Sequence, residues 1–509
     1  MEDWPRPDNG GGARRRQIDH SLVAGLASLT VAATILRLPS LAGGSFWFDE
    51  WFTHHIVDGS LLDLARFVKG AESTPPLYYG IAWLWANVFG AGEIALRSLS
   101  ILFGVATVPV AYFAGSTLVT PRAGWFAAAF VATSPLLVWY STEARAYSLL
   151  VFLGAVSLLL VARALRMPTR RRLLLWSLSA ALALATHYFS AFLIAGEIVV
   201  LLAYLPGRRR AVLTACIPVG VTAVLLAPLL YLQRGHGAWI QEYPLASRLD
   251  EVGRNFVSGV SIPSRGLEVL ATSLALTLVV FALLGSTEER RAAWVMLTVG
   301  VVSLAVPIVL ALIGGDYVLT RNVIASWLPV ALVGAIGGAS RRFGRAGFVL
   351  ASLFVAVSLV DVGLIASDER LQRVDWKGAA RLLGEARDDR LVIAWGDYRL
   401  APLEERLRPA ERLGGNDVVQ VAQIDILGFR RPSGRISCWS GAACNMVPVR
   451  APSRSPAAGF ALRERLHEGL FEVNRFQAAE GRRIRISDVL QSLSEARTPS
   501  VWWQAGKPP

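Results

Sequence analysis

The residues best suited to chemistry stand where a membrane helix should end. Residues 45–57 read SFWFDEWFTHHIV. Two adjacent carboxylates, Asp49 and Glu50, sit among Phe46, Trp47, Phe48, Trp51 and Phe52, and His54 and His55 follow. A carboxylate against an apolar wall is costly to ionise, so it either meets a cation or works as a base. Further along, STEARAY (141–147) offers Glu143, Arg145 and Tyr147. THYFS (186–190) offers His187 and Tyr188, and GGDYVLTR (314–321) offers Asp316 near Arg321. Carboxylates from separate loops can share a divalent cation, and the planar fork of arginine suits phosphate. The set reads as a site for an anionic, phosphorylated substrate at a membrane edge. The aromatic residues fit a lipid tail and a sugar ring, with a lipid groove expected near Tyr78, Trp83 and His187.

Plainer roles exist for the same residues. Asp49 can cap a helix. His54 and His55 can be interface residues, and Glu143 can pair with Arg145 at the surface. His187 can terminate a span, Arg321 can snorkel at a span's flank, and Glu197 can bond a neighbouring helix.

The elements that must position these residues are membrane helices. Of 509 residues 53% are hydrophobic and 17% charged, against about 25% charged in a soluble domain. Several apolar runs reach about 18 residues, enough to cross a hydrocarbon core. The formal charge of +13 does not call for nucleic acid. Its arginines collect between apolar runs, at 14–16, 170–172, 208–210, 290–291 and 341–345, the pattern of cytoplasmic loops. Residues 1–19 are rich in Gly, Pro and Arg and are expected to be a disordered cytoplasmic N-terminus. The first apolar run is long for a signal peptide and reads as an uncleaved span. Of the three cysteines, Cys216 lies in a membrane run, and Cys438 and Cys444 can pair if they face an oxidising compartment.

Counting from Arg14–Arg16, a first span at 20–38 carries Asp49 outside. The run 148–166 ends in arginines, which leaves Glu143 outside as well. Three apolar runs separate the two acids, so one does not cross; the short, Trp- and Tyr-rich run 76–89 reads as interfacial, as does 60–70. The run 173–206 has basic clusters at both ends and must be a hairpin turning at THYFS. The expectation is an all-α polytopic domain, 20–366, of about 11 transmembrane helices plus interfacial ones, with a long outer loop at 232–267. Residues 367–509 are expected outside as a small α/β region. There RLVIAW and VVQVAQI read as strands, and DWKGAARLLGEA and LAPLEERL as helices.

FWFDEWFTHHIV, STPPLYYGIAWLWANVFG, ALRSLSILFGVATVPVAYFAG, SPLLVWYSTEARAYSLL and THYFSAF together resemble the membrane core of GT-C glycosyltransferases. More closely, they resemble the bacterial branch related to protein O-mannosyltransferases and the lipid A aminoarabinose transferase. The resemblance covers about residues 20–340. It implies an inverting transferase using a polyprenyl-phosphate sugar, mannose by family default, at the outer face of the bacterial plasma membrane. The acceptor is a glycan, lipid or protein hydroxyl. Asp49 takes the role of the catalytic carboxylate in the first outer loop, the base that removes the acceptor's proton, and Glu143 that of the second-loop carboxylate. Asp49, Glu50 and Glu143 are the expected ligands of Mg²⁺ or Mn²⁺. His54, Tyr78, Arg145, Tyr147, His187 and Arg321 are expected to bind substrate, Arg321 and then Arg145 meeting the leaving phosphate. No nucleotide cofactor is expected, and the chain holds no Walker or Rossmann glycine pattern. Two departures stand out: Ser73 and Thr74 precede the proline pair where relatives often have an ionisable group, and Arg145-Ala146-Tyr147 replaces Arg-Pro-Tyr. The competing classes are a transporter or lipid flippase and a non-catalytic scaffold.

Overall fold

A computed structural model describes residues 20–42, 44–70, 72–395, 400–430, 435–436, 455–493 and 499–506. Residues 1–19, Cys438 and Cys444 lie outside the described residues. The chain forms two compact units.

The first unit spans residues 1–41, 53–260 and 264–363, and its described residues form helices. Among the described residues, six helices are long and apolar enough to cross a membrane: Glu93–Leu118, Tyr147–Arg166, Pro206–Gln233, Arg265–Leu283, Thr287–Leu312 and Gly344–Ser367. Shorter apolar helices occupy His20–Ile35, Ser190–Tyr204 and Ile324–Gly338. The expected count of about eleven is therefore not reached by helix length alone. Tyr147–Arg166 is 83% buried over its most apolar stretch and Pro206–Gln233 only 11%, so the former is central and the latter peripheral.

Two local features differ from, or sharpen, the sequence reading. The run 123–140 is a bent pair, Pro121–Thr133 and Pro135–Ser141, meeting at 56°. The break falls where Pro135 has no N–H to continue the ladder, and the Ser134 hydroxyl restarts the helix by accepting from Leu137 N–H. Arg37 holds both pieces: its Nε donates to Ser141 Oγ at 2.6 Å and its Nη1 to the Ala132 carbonyl at 3.2 Å. The run 173–206 is a helical hairpin, Arg170–Thr186 and Ser190–Tyr204, turning at His187 as the charge pattern requires. The interfacial candidates are helices Leu61–Gly70 and Leu77–Phe89.

Loops assigned by charge to one side meet one another. Arg166 pairs with Glu288 at 3.8 Å, and Arg122 donates to the Gly344 carbonyl at 3.1 Å. Loops assigned to the opposite side build the cluster described below.

The second unit comprises residues 42–52, 261–263 and 364–509. Its six-stranded sheet runs in the order Glu411–Leu413, Ser500–Gln504, Arg390–Ala394, Val418–Phe429, Phe471–Arg485, Ala461–Glu468. Arg390–Ala394 is parallel to Val418–Phe429, and the other neighbours are antiparallel. The strand RLVIA is buried throughout because both sheet faces are covered. Val392 and Ala394 pack with Trp376, Leu383 and Leu403 from the helices Trp376–Leu383 and Ala401–Arg406. Leu391 and Ile393 point the other way, towards Ile486 and Val489 of the helix Ile486–Ser492. The strands and helices anticipated in this region are thus present.

Candidate functional site

In the first unit the polar loops converge on Glu72, one residue before the SerThrProPro stretch. Arg145 Nη1 donates to Glu72 Oε1 at 2.7 Å and Nη2 to Oε2 at 3.2 Å, a two-bond fork. The Thr74 hydroxyl adds a bond to Oε2 at 3.0 Å, and the Arg145 guanidinium lies 5.9 Å from the centre of the Tyr79 ring. Both partners are buried. Burial alone would raise the Glu72 carboxyl, but the charge of Arg145 and the hydrogen bonds from Arg145, Tyr79 and Thr74 outweigh it and hold it below the usual range. The Tyr79 hydroxyl, desolvated, is pushed well above its ordinary value.

The backbone around Glu72 is fastened from the last residue of Pro206–Gln233 and from the loop that follows it. His236 Nδ1–H donates to the Glu72 carbonyl at 2.8 Å. Gln233 Nε2 donates to the Val68 carbonyl at 2.6 Å, and its Oε1 accepts from Tyr188 OH at 2.8 Å.

His187 lies in the same cluster. Its ring is 5.7 Å from that of Tyr147 and 5.2 Å from that of Phe189. Burial, then the charges of Arg145 and Arg321, push its imidazole down to about 3. It is therefore neutral at ordinary pH. The Phe189 N–H donates to Nδ1 at 3.3 Å, which assigns the ring proton to Nε2. A neutral imidazole with an Nε2–H, in the field of two arginines, is a donor suited to an anionic oxygen.

The structure thus brings together Arg145, Tyr147, His187 and Arg321. It adds Thr74, noted in the sequence only as a departure, and Glu72 and Tyr79, which the sequence reading passed over. The available signal was an acid beside a proline pair between apolar runs. Two acids close in sequence to these arginines have other contacts. The Arg145 fork closes on Glu72, and the Glu143 carbonyl accepts from Arg145 N–H at 2.7 Å, while the Glu143 side chain is buried. Asp316 forks onto Arg248, with one bond at 2.8 Å to Nη1, while Arg321 stacks 5.6 Å over the Trp239 ring. Tyr78 is buried, its hydroxyl 3.5 Å from Ser100 Oγ, and His54 Nδ1–H donates to the Ala91 carbonyl at 3.0 Å.

Residues 73–231 match the family model of dolichyl-phosphate-mannose-protein mannosyltransferases. Over that stretch the chain is similar to the family that the motifs resemble. The mannosyltransferase-like segment takes in Glu143, Arg145, Tyr147 and His187, starts one residue after Glu72, and leaves Asp49 and Arg321 outside. Comparison with proteins of curated function finds no match. Among solved structures, ArnT from Cupriavidus metallidurans in the apo state gives a TM-score of 0.46 at 15% identity, over 68% of this chain and 65% of that one. The apo oligosaccharyltransferase of Archaeoglobus fulgidus gives 0.47 at 11% identity, over 70% of this chain and 57% of that one. The chain thus spans less than two thirds of either.

Asp49 and Glu50 belong to the second unit. They lie in the first turn of the helix Phe48–Val57, where the helix dipole favours negative charge. Glu50 Oε2 accepts from Trp47 N–H at 3.4 Å, half of a capping box, and the Phe48, Trp51 and Phe52 rings pack together. Among the described residues no group of three or more His, Cys, Asp or Glu is gathered for a metal ion. A cation shared by Asp49, Glu50 and Glu143 stays a proposal, with its own test.

Proposed function

We propose that this chain is a membrane glycosyltransferase that moves a sugar, mannose-like, from a polyprenyl-phosphate donor to an acceptor hydroxyl at the outer face of the plasma membrane. Its N-terminus is cytoplasmic and its α/β unit extracytoplasmic. The observation that carries the reading is the coincidence of the mannosyltransferase match with the cluster of buried Arg145, buried and neutral His187 and half-buried Arg321. That cluster suits a phosphate held beside lipid.

In the mechanism, Asp49 takes the proton of the acceptor hydroxyl. The acceptor oxygen bonds to the anomeric carbon as the bond from that carbon to the phosphate oxygen breaks, with inversion. The released lipid phosphate keeps the electron pair. Arg321, then Arg145, meets its charge, and His187 Nε2–H donates to it. Tyr78, Tyr147 and His54 serve donor or acceptor binding. Mg²⁺ or Mn²⁺ at Asp49, Glu50 and Glu143 would add charge neutralisation, but no step above needs it.

The test uses purified protein in nanodiscs with labelled polyprenyl-phosphate sugars and extracted envelope acceptors. Asp49→Asn should insert normally and lose at least about 100-fold in turnover, the lower range for a missing general base. Near-full activity in that variant would end the mechanism. One observation favours a second reading, transport. Glu197, buried midway along Ser190–Tyr204, accepts from Ser157 Oγ at 2.6 Å and Trp176 Nε1 at 2.8 Å. Lipid translocation in proteoliposomes without sugar transfer would favour it.

A further inference from the structure

The α/β unit contains a stretch from the other end of the chain, residues 42–52, which carries Asp49. Gly44 turns the chain with φ +74°, a left-handed conformation that suits glycine, directly against the Asp375 side chain. The next residue forms a reciprocal clasp. Ser45 N–H donates to Asp375 Oδ1 at 2.8 Å, and Ser45 Oγ accepts from Trp376 N–H at 2.6 Å. Asp375 is also the cap of the helix Trp376–Leu383, accepting from Lys377 N–H at 3.1 Å and Gly378 N–H at 3.0 Å. One carboxylate therefore starts a helix and holds the loop, and the loop's serine takes a further N–H of that helix's first turn. Phe46 and Trp47 are buried next to the clasp. Beyond Asp49, the Trp51 indole donates to Glu405 Oε2, on the helix Ala401–Arg406.

We infer that the α/β unit clamps the Asp49 loop from both sides, and that Ser45, Asp375 and Glu405 are positioning residues for the base. The inference rests on the role proposed for Asp49. Asp49 stands in the first turn of the helix Phe48–Val57, so its direction follows any shift or tilt of that turn, and a base must reach its proton within hydrogen-bond distance. Anchors four residues before and two residues after Asp49 remove most of that freedom. This gives the C-terminal unit, which carries no motif of its own, a task in the reaction.

The test compares Ser45→Val with Ser45→Thr, equal in bulk and differing in the hydroxyl, and Glu405→Leu with Glu405→Gln, which keeps an acceptor. Amide exchange across residues 45–51 is measured in the intact protein in nanodiscs. Val and Leu should speed exchange about tenfold, while Thr and Gln stay near wild type. With a polyprenyl-phosphate mannose as probe, Val and Leu should lower kcat about tenfold with KM little changed, and Thr and Gln should restore it. Unchanged exchange in both Val and Leu overturns the clamp. Faster exchange with undiminished kcat overturns the positioning role. A wild type that transfers no sugar ends the transferase reading instead, and the exchange data still decide the clamp.

Discussion

Arg145 closes both terminal nitrogens of its guanidinium on the two oxygens of Glu72, a residue 73 positions away in the chain. The pair ties the loop before the proline pair to the loop after Pro135–Ser141. It also sets what is available to a substrate, since Arg145 faces an anion already matched to one carboxylate.

Breaking one side of a buried pair strands the other charge, at a cost of about 3–5 kcal/mol. Glu72→Gln should therefore lower the unfolding temperature of the detergent-solubilised protein sharply. Arg145→Lys keeps the charge but loses the fork and should be milder in stability. A Glu72→Gln protein as stable as wild type would show that the pair contributes nothing.

His187 gives a pH dependence with a definite sign. Its pKa is lowered from 6.5 to about 3 on folding. The unfolded chain thus binds its proton first, and stability falls as pH drops below 6.5 until about 3. At pH 5 the contribution lost is about 2 kcal/mol, from 1.5 units at about 1.36 kcal/mol each. His187→Gln should flatten this part of the stability profile between pH 7 and 5, measured by thermal unfolding at fixed ionic strength. An unaltered profile would mean that another group titrates.

The proposed cation is separable from the rest. If Asp49, Glu50 and Glu143 share Mg²⁺ or Mn²⁺, excess chelator should abolish transfer and added metal restore it. Glu143→Gln should then raise the metal concentration for half activity. Full turnover in chelator would remove the metal and leave the arginines to hold the phosphate alone.

Sidedness can be read by labelling. With the three native cysteines replaced, a cysteine at Gly315 should react with a membrane-impermeant reagent in intact cells, and one at Glu288 should not. Reaction at 288 would reverse the compartment proposed for every residue of the site.

Much of this architecture is local in origin and was legible in the sequence. Apolar length sets where helices form, basic clusters at both ends of 173–206 require the hairpin at His187, and the buried strand RLVIA is written in consecutive apolar residues. The motifs likewise gave the family match that covers 73–231. The charge pattern placed the loops of Arg145, Tyr147, His187 and Arg321 on one side together with that of Asp49; Arg145, Tyr147 and Arg321 lie around His187, while Asp49 belongs to the α/β unit. Partner choice did not follow. Glu143 is two residues from Arg145, yet the fork closes on Glu72; Asp316 is five from Arg321, yet it closes on Arg248. The Asp49 loop follows a membrane helix in sequence, yet it bonds to Asp375, Trp376 and Glu405 in the α/β unit. Hydropathy and periodicity are summed along a few turns of chain, whereas a fork of hydrogen bonds needs two side chains at one point and one orientation. That meeting depends on how helices far apart in sequence cross and on which loops their ends bring together, and only the tertiary structure decides it.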